Sequence, residues 1–171
     1  MRLNSIKEAR SEIKQNLQLI GFNIGARLYG VDIFRVVEIL RHPDVVSLEK
    51  APELIEGAIR VRSVTIPVIN LAVHIGRDSS VGEQGKKWVL VSKVGECLIG
   101  FVVDAVTHIL KIDTDRILPA PDLILAGLRN PYIRGVCETE KGLLVVLELD
   151  RLLLDAEVET IRRLNMTQMI A

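Results

Sequence analysis

Apolar residues in this chain come in short runs, broken by glycine or by charged pairs. Residues 18–25 carry Leu19, Ile20, Phe22 and Ile24 and close on Gly25, the pattern of a strand running into a turn. Residues 28–33 follow after a short connection, so the two runs predict a hairpin. Residues 57–62 and 64–70 predict a second pair, in which Pro67, with no N–H to give, points to an edge strand or a bulge. Residues 87–94, 97–103, 132–139 and 143–149 read as further strands, with Gly142 at a turn. From Asp150 the period changes. Leu153, Leu154, Val158, Ile161 and Leu164 fall roughly on one helical face, with Arg162 and Arg163 off it, which predicts a C-terminal helix. Residues 1–16 show neither period and are expected to form a flexible segment, loose or weakly helical.

These runs repeat at long range. Leu28, Gly30, Val36, Ile39 and Leu40 recur 70 residues later as Leu98, Gly100, Val106, Ile109 and Leu110, and Gly25 recurs as Gly95. Ala51-Pro52 matches Ala120-Pro121 at an offset of 69, and from Gly57 and Gly135 onward the offset is 78, so an insertion falls within residues 125–131. Collinear matches of this kind indicate a tandem duplication. The reading is mainly β: two small barrels, about 17–85 and 86–154, and a helix over 155–171. Each half has little core of its own, so the halves are expected to pack together around a groove.

Composition narrows the class. Apolar residues make up 49% but aromatics only 4%, so the core is built from Val, Ile and Leu, which suit a pleated sheet. Lys plus Arg and Asp plus Glu are 22 each, which withholds the basic excess of a nucleic-acid binder. Cys97 and Cys137 have no CxxC-type neighbour, and Cys97 sits in an apolar run as a small buried hydrophobe. His42, His74 and His108 show no i, i+4 pairing, and no phosphate loop or nucleophile elbow occurs. No cofactor, metal or catalytic set is expected. The charged N-terminus has no apolar core of a signal peptide, and no run reaches the length of a membrane helix, so the expectation is a soluble cytoplasmic protein.

Two stretches now carry a resemblance. One is Leu28-Tyr29-Gly30-Val31-Asp32-Ile33 with Val36-Val37-Glu38-Ile39. The other is Ala51-Pro52, Gly57, Arg62 and Ile66-Pro67-Val68-Ile69-Asn70-Leu71. With Asp104-Ala105-Val106 and Pro119-Ala120-Pro121 they resemble the CheW family of chemotaxis coupling proteins, from about residue 17 to 155. The resemblance implies two five-stranded, SH3-like barrels around a shared apolar interior. It implies a non-catalytic adaptor that binds the cytoplasmic tips of methyl-accepting chemoreceptors and the regulatory domain of a CheA-type histidine kinase, with no nucleic acid and no direct membrane insertion. Residue by residue, it puts Glu38 and Arg62 near contact surfaces, Ile33, Val36 and Gly57 along the receptor groove or its support, and Gly100, Val106 and Ile109 on the other wall. Alternation alone does not separate a core wall from a binding wall at Ile33, Val36, Val106 and Ile109.

Three positions depart from the family. The usual Gly-x-x-Asn-Leu-Arg-Gly reads here Gly57-Ala58-Ile59-Arg60-Val61-Arg62-Ser63, so Ser63 replaces a glycine and Arg60 adds a charge, while Asn70 stands where an acid is common. A different turn is expected at Ser63. Glu38 and Arg62 are expected to lie close enough to interact; their equivalents in the second half are His108 and Glu140.

Overall fold

The structure is a computed structural model that describes residues 16–49, 51–75, 86–120 and 132–170, with side chains as far as Arg163. Its first half runs β1 (Asn16–Ile24), β2 (Arg27–Asp32), a 3-10 turn (Ile33–Arg35), β3 (Val36–Arg41), β4 (Gly57–Val61), β5 (Val64–Asn70) and the one-turn helix α1 (Leu71–His74). The strand order then repeats: β6 (Trp88–Val94), β7 (Cys97–Val103), β8 (Ala105–Asp113), β9 (Ile133–Thr139) and β10 (Gly142–Leu147). A 3-10 turn (Leu149–Arg151) leads into α2 (Asp155–Ile170). Gly25 and Gly95 turn the two equivalent hairpins at φ 59° and 60°, the left-handed region that glycine enters without a Cβ penalty.

The ten strands form two five-stranded sheets, ordered β8-β1-β2-β10-β9 and β3-β6-β7-β5-β4. The mainly-β class, the two five-stranded units and the C-terminal helix match expectation. The barrel boundaries do not. Neither 17–85 nor 86–154 is a barrel, because each copy of the repeat gives its first hairpin to the sheet of the other. Hairpin β1–β2 lies between β8 and β10, and hairpin β6–β7 lies between β3 and β5. Single bridges, Val46 to Ala58 and Leu118 to Val136, continue the pairing of the end strands β4 and β9.

The repeat is kept residue by residue. The parallel pair Val146–Gly30 in one sheet corresponds to Val68–Gly100 in the other, and Leu19–Leu110 corresponds to Val89–Leu40. His74 Nε2 lies 2.5 Å from the carbonyl oxygen of Leu152, its own equivalent 78 residues on, so the pseudo-twofold axis passes beside this contact.

Burial divides the apolar residues into three cores. Leu19, Leu28, Cys137, Leu144 and Val146 fill one sheet's interior, while Ile59, Ile66, Val68, Val89 and Val91 fill the other's. The largest core lies between the sheets and takes equivalent pairs from both copies: Ile20 with Leu90, Val31 with Phe101, Ile69 with Leu147, Leu71 with Leu149. Covering this shared interior is what holds the two units together.

Three local expectations are corrected. Pro67 sits neither at an edge nor at a bulge, since β5 lies between β7 and β4. Ala58, opposite Pro67, makes both its backbone bonds to Val46, at 2.8 and 2.9 Å, so β4 asks no donor of the proline; the pairing with β7 begins one residue later, at Val68. Strands β3 and β8 escape the hydrophobic pattern because each is bulged against its partner and mixes apolar and charged residues on its open face. The helical period that begins at Asp150 is taken up first by a 3-10 turn, and helix α2 starts at Asp155, the bound expected for it, with the Leu154 N–H donated to Glu157 Oε1 at 2.8 Å. Leu154 is therefore a cap, 68% exposed, while Leu153 and Ile161 are buried; Leu164 lies outside the described side chains.

Candidate partner-binding surface

Among the described residues the groups that could carry chemistry stand apart. No cluster of three or more His, Cys, Asp or Glu is positioned to hold a metal ion. His42 and His74 each meet a backbone carbonyl, and His108 Nδ1 lies 2.9 Å from Lys141 Nζ. Cys97 and Cys137 are buried and free. Three surface clefts among the described residues, of 330 to 550 Å³, are lined by mixed charges and aliphatic side chains.

Eleven large apolar side chains are exposed among the described residues, and three of them follow closely along one segment. Phe34 is 86% exposed, Val37 61% and Ile39 39%, on the 3-10 turn and on β3. A large side chain standing in solvent needs a frame, and the sequence supplies one. Asp32 Oδ1 accepts the Phe34 N–H at 3.0 Å and caps the turn. Arg35, the next residue, pairs with Asp150 at 2.7 Å and ties the turn to the start of the C-terminal segment. The turn touches both β1 and β6, one from each sheet, so Phe34 stands at the seam where the two units meet. Arg41 stacks over the Trp88 ring at 5.4 Å, at the far end of β3.

The sequence-derived residues fall into three sets. Ile33, Val36 and Val106 are half-buried and pack on the large shared core. Gly57 and Gly100 are buried, and neither has room for a side chain: a Cβ would lie 2.5 Å from Val46 O at Gly57 and 2.8 Å from Val89 Cγ1 at Gly100. Ile109, 58% exposed, and Arg62 face solvent, with Glu38 half-exposed between. So of the four apolar positions that alternation left open, only Ile109 is mainly outward.

Glu38 and Arg62 do not meet. No ion pair joins them among the described residues. The register shows why: Glu38, Val91, Gly100, Val68 and Gly57 form one row across the sheet, and Arg62 lies five residues along from Gly57, about 16 Å off that row. Phe34, Val37 and Ile39 were not among the site residues named from the sequence. Their signal was present as an alternation of half-buried and exposed positions along β3, but with apolar residues on both faces it does not read as period two.

Comparison with known proteins agrees with the architecture. Residues 18–157 match the model of the CheW-like domain family. The chain is 28% identical over 153 residues to the chemotaxis protein CheW of Treponema pallidum, covering 88% of this chain and 89% of that one. It is 29% identical over 137 residues to the CheW of Klebsiella aerogenes, covering 80% and 81%. The crystal structure of the scaffolding protein TtCheW from Thermoanaerobacter tengcongensis superposes with a TM-score of 0.70 at 26% identity, over 80% of this chain and 91% of that one.

Proposed function

Because the chain belongs to the family of CheW-like domains, we propose that it is a non-catalytic adaptor, coupling the cytoplasmic tips of chemoreceptors to the regulatory domain of a CheA-type histidine kinase. The observation that carries this reading is the framed apolar ridge of Phe34, Val37 and Ile39 at the seam between the two sheets. Contiguous exposed apolar surface rimmed by polar residues marks a protein–protein contact. Glu38 and Arg35 supply such a rim. On this reading the contact is made by the outward set, Phe34, Val37, Ile39 and Ile109, with Glu38 and Arg62 as charged positions. Ile33, Val36 and Val106 shape the ridge from beneath, and Gly57 and Gly100 allow close packing within the sheet that carries β3. A cytoplasmic location follows from these partners; among the described residues no helix is long and apolar enough to cross a membrane.

The test is direct binding of the purified chain to a receptor cytoplasmic fragment and to the kinase regulatory domain. Trp88, on the strand paired with β3, gives a fluorescence reporter. The double variant Phe34→Asp/Val37→Asp is expected to lose at least tenfold in affinity for one or both partners while keeping its circular dichroism. Arg62→Glu is expected to weaken binding more than Lys93→Glu, an exposed control on β6, and more at low salt than at high. Wild-type affinity in the folded double variant overturns the assignment.

A further inference from the structure

The turn between β4 and β5 holds a hydroxyl beside two unpaired cations. Arg62 and Ser63 are its central residues, both at positive φ and both exposed. Arg60, in the second residue pair of the ladder, is exposed as well, and Val64, just after the serine, is 51% exposed. No ion pair holds either arginine, and no hydrogen bond holds the Ser63 hydroxyl, among the described residues. The equivalent turn, 78 residues on, carries both signs of charge: Glu138 and Glu140 are followed by Lys141, where Arg60 and Arg62 are followed by Ser63. What the first turn lacks is an anion at position 63.

We propose that Ser63 is the acceptor of a serine/threonine protein kinase that selects basic substrates, and that the phosphate it receives is clamped by Arg60 and Arg62. Such kinases choose substrates by charge pattern, with arginines before the acceptor facing carboxylates of the kinase cleft. Here the arginines stand one and three residues before the hydroxyl, and an apolar side chain follows it. Neither Arg62 nor Ser63 favours the left-handed backbone in which it is held, so releasing this tip into an extended kinase cleft gives up little. Thr65, the other hydroxyl nearby, lies opposite Arg60 within the ladder, where its strand is paired. In the transfer, Ser63 Oγ attacks the γ-phosphorus of a nucleoside triphosphate. Its proton passes to a catalytic carboxylate of the kinase, the Oγ–P bond forms as the bond to the β,γ-bridging oxygen breaks, and nucleoside diphosphate leaves. The product carries a charge of about −1.5 to −2 and three acceptor oxygens. Arg62 is adjacent and Arg60 lies about 7 Å along the strands, so both guanidinium groups reach it in charge-assisted hydrogen bonds. The phosphate cancels the charge of both arginines. Because the proposed adaptor role uses Arg62 as a docking charge, phosphorylation weakens partner binding, a consequence that rests on that role.

The full chain is incubated with magnesium ATP and the soluble extract of its source cells, and the acceptor is located by fragment mass spectrometry. Phosphate is expected on Ser63, absent from Ser63→Ala, kept in Thr65→Ala, and slower by at least about tenfold in Arg60→Gln/Arg62→Gln. A chain synthesised with phosphoserine at position 63 tests the clamp. By phosphorus NMR its second ionisation is expected below the ordinary value of about 6, and at that value when both arginines are glutamine. The same chain is expected to bind the receptor fragment or the kinase regulatory domain about tenfold more weakly than the unmodified chain. If the unmodified chain binds neither, the adaptor role fails, and the phosphoacceptor still stands or falls on the first two measurements. No phosphate on Ser63, phosphate on Thr65 alone, a double arginine variant labelled as fast as the wild type, or a phosphoserine that titrates at the ordinary value overturns the proposal. Equal partner affinity of the two chains overturns its regulatory consequence.

Discussion

Arg62 and Ser63 both hold positive φ, at 50° and 69°, in the two-residue turn between β4 and β5. A two-residue turn of this hand needs left-handed backbone at both positions, which is why Asn-Gly is the common choice. Each other residue there costs about 1–2 kcal/mol. Ser63→Gly is therefore expected to stabilise the protein by about 1 kcal/mol, read as a higher urea midpoint at unchanged slope. A changed turn was the expectation for a serine in this place; instead the chain keeps the left-handed conformation and carries the strain. Gly57 and Gly135 raise the opposite case. Their Cβ atoms would each lie 2.5 Å from a backbone oxygen, of Val46 and Leu118 respectively, and backbone cannot step aside. Gly57→Ala and Gly135→Ala are each expected to cost about 1–3 kcal/mol in the same assay. Ser92 occupies the position equivalent to Phe22, buried, with no partner for its hydroxyl among the described residues. Ser92→Ala is expected to leave stability unchanged or raise it by up to about 1 kcal/mol.

At the scale of elements, β3 decides how the surface is used. Val36→Asp puts a charge against the shared core without a partner, at a cost of several kcal/mol, and is expected to lower the melting temperature sharply. Phe34→Asp, two residues away in solvent, is expected to shift stability by no more than about 0.5 kcal/mol. Thermal melts of the two variants side by side separate packing from docking. This strand also marks the limit of what the chain's pattern reveals. Strands β1, β2, β4 to β7, β9 and β10 were legible because each turns apolar side chains into a core and ends at a glycine, a proline or a charged turn. Along β3 and β8 the open face is itself partly apolar, since Val37, Ile39 and Ile109 face solvent, and the bulges break what alternation remains. A site that consists of exposed apolar residues erases the contrast by which strands are found. The eight proposed site residues rest on resemblance, and the pattern could not say which of them faced out.

For the molecule as a whole, the duplication was legible and the exchange of hairpins was not. Equivalent positions are alike in the two copies, so β1–β2 reads as equally suited to either sheet. Part of the choice rests on Asp104, which has no acidic counterpart: the equivalent position is Phe34. Its Oδ2 accepts the Gly25 N–H at 2.6 Å, its Oδ1 pairs with Lys87, and its own N–H donates to Asn23 O, clasping the first hairpin to the second copy. Asp104→Ala is expected to cost about 1–3 kcal/mol, with faster unfolding by stopped-flow. A protease site placed between Ile75 and Lys86 gives a broader test. After cleavage the two fragments are expected to stay together in gel filtration and to melt in one transition, since each sheet holds strands of both. The same arrangement sets a timetable for synthesis. β1 spans residues 16–24 and its antiparallel partner β8 spans 105–113, so the first hairpin leaves the ribosome about 5–20 s before the strand it pairs with. During that interval the outer edge of β1 has no strand to pair with, an open template on which a second nascent chain could pair.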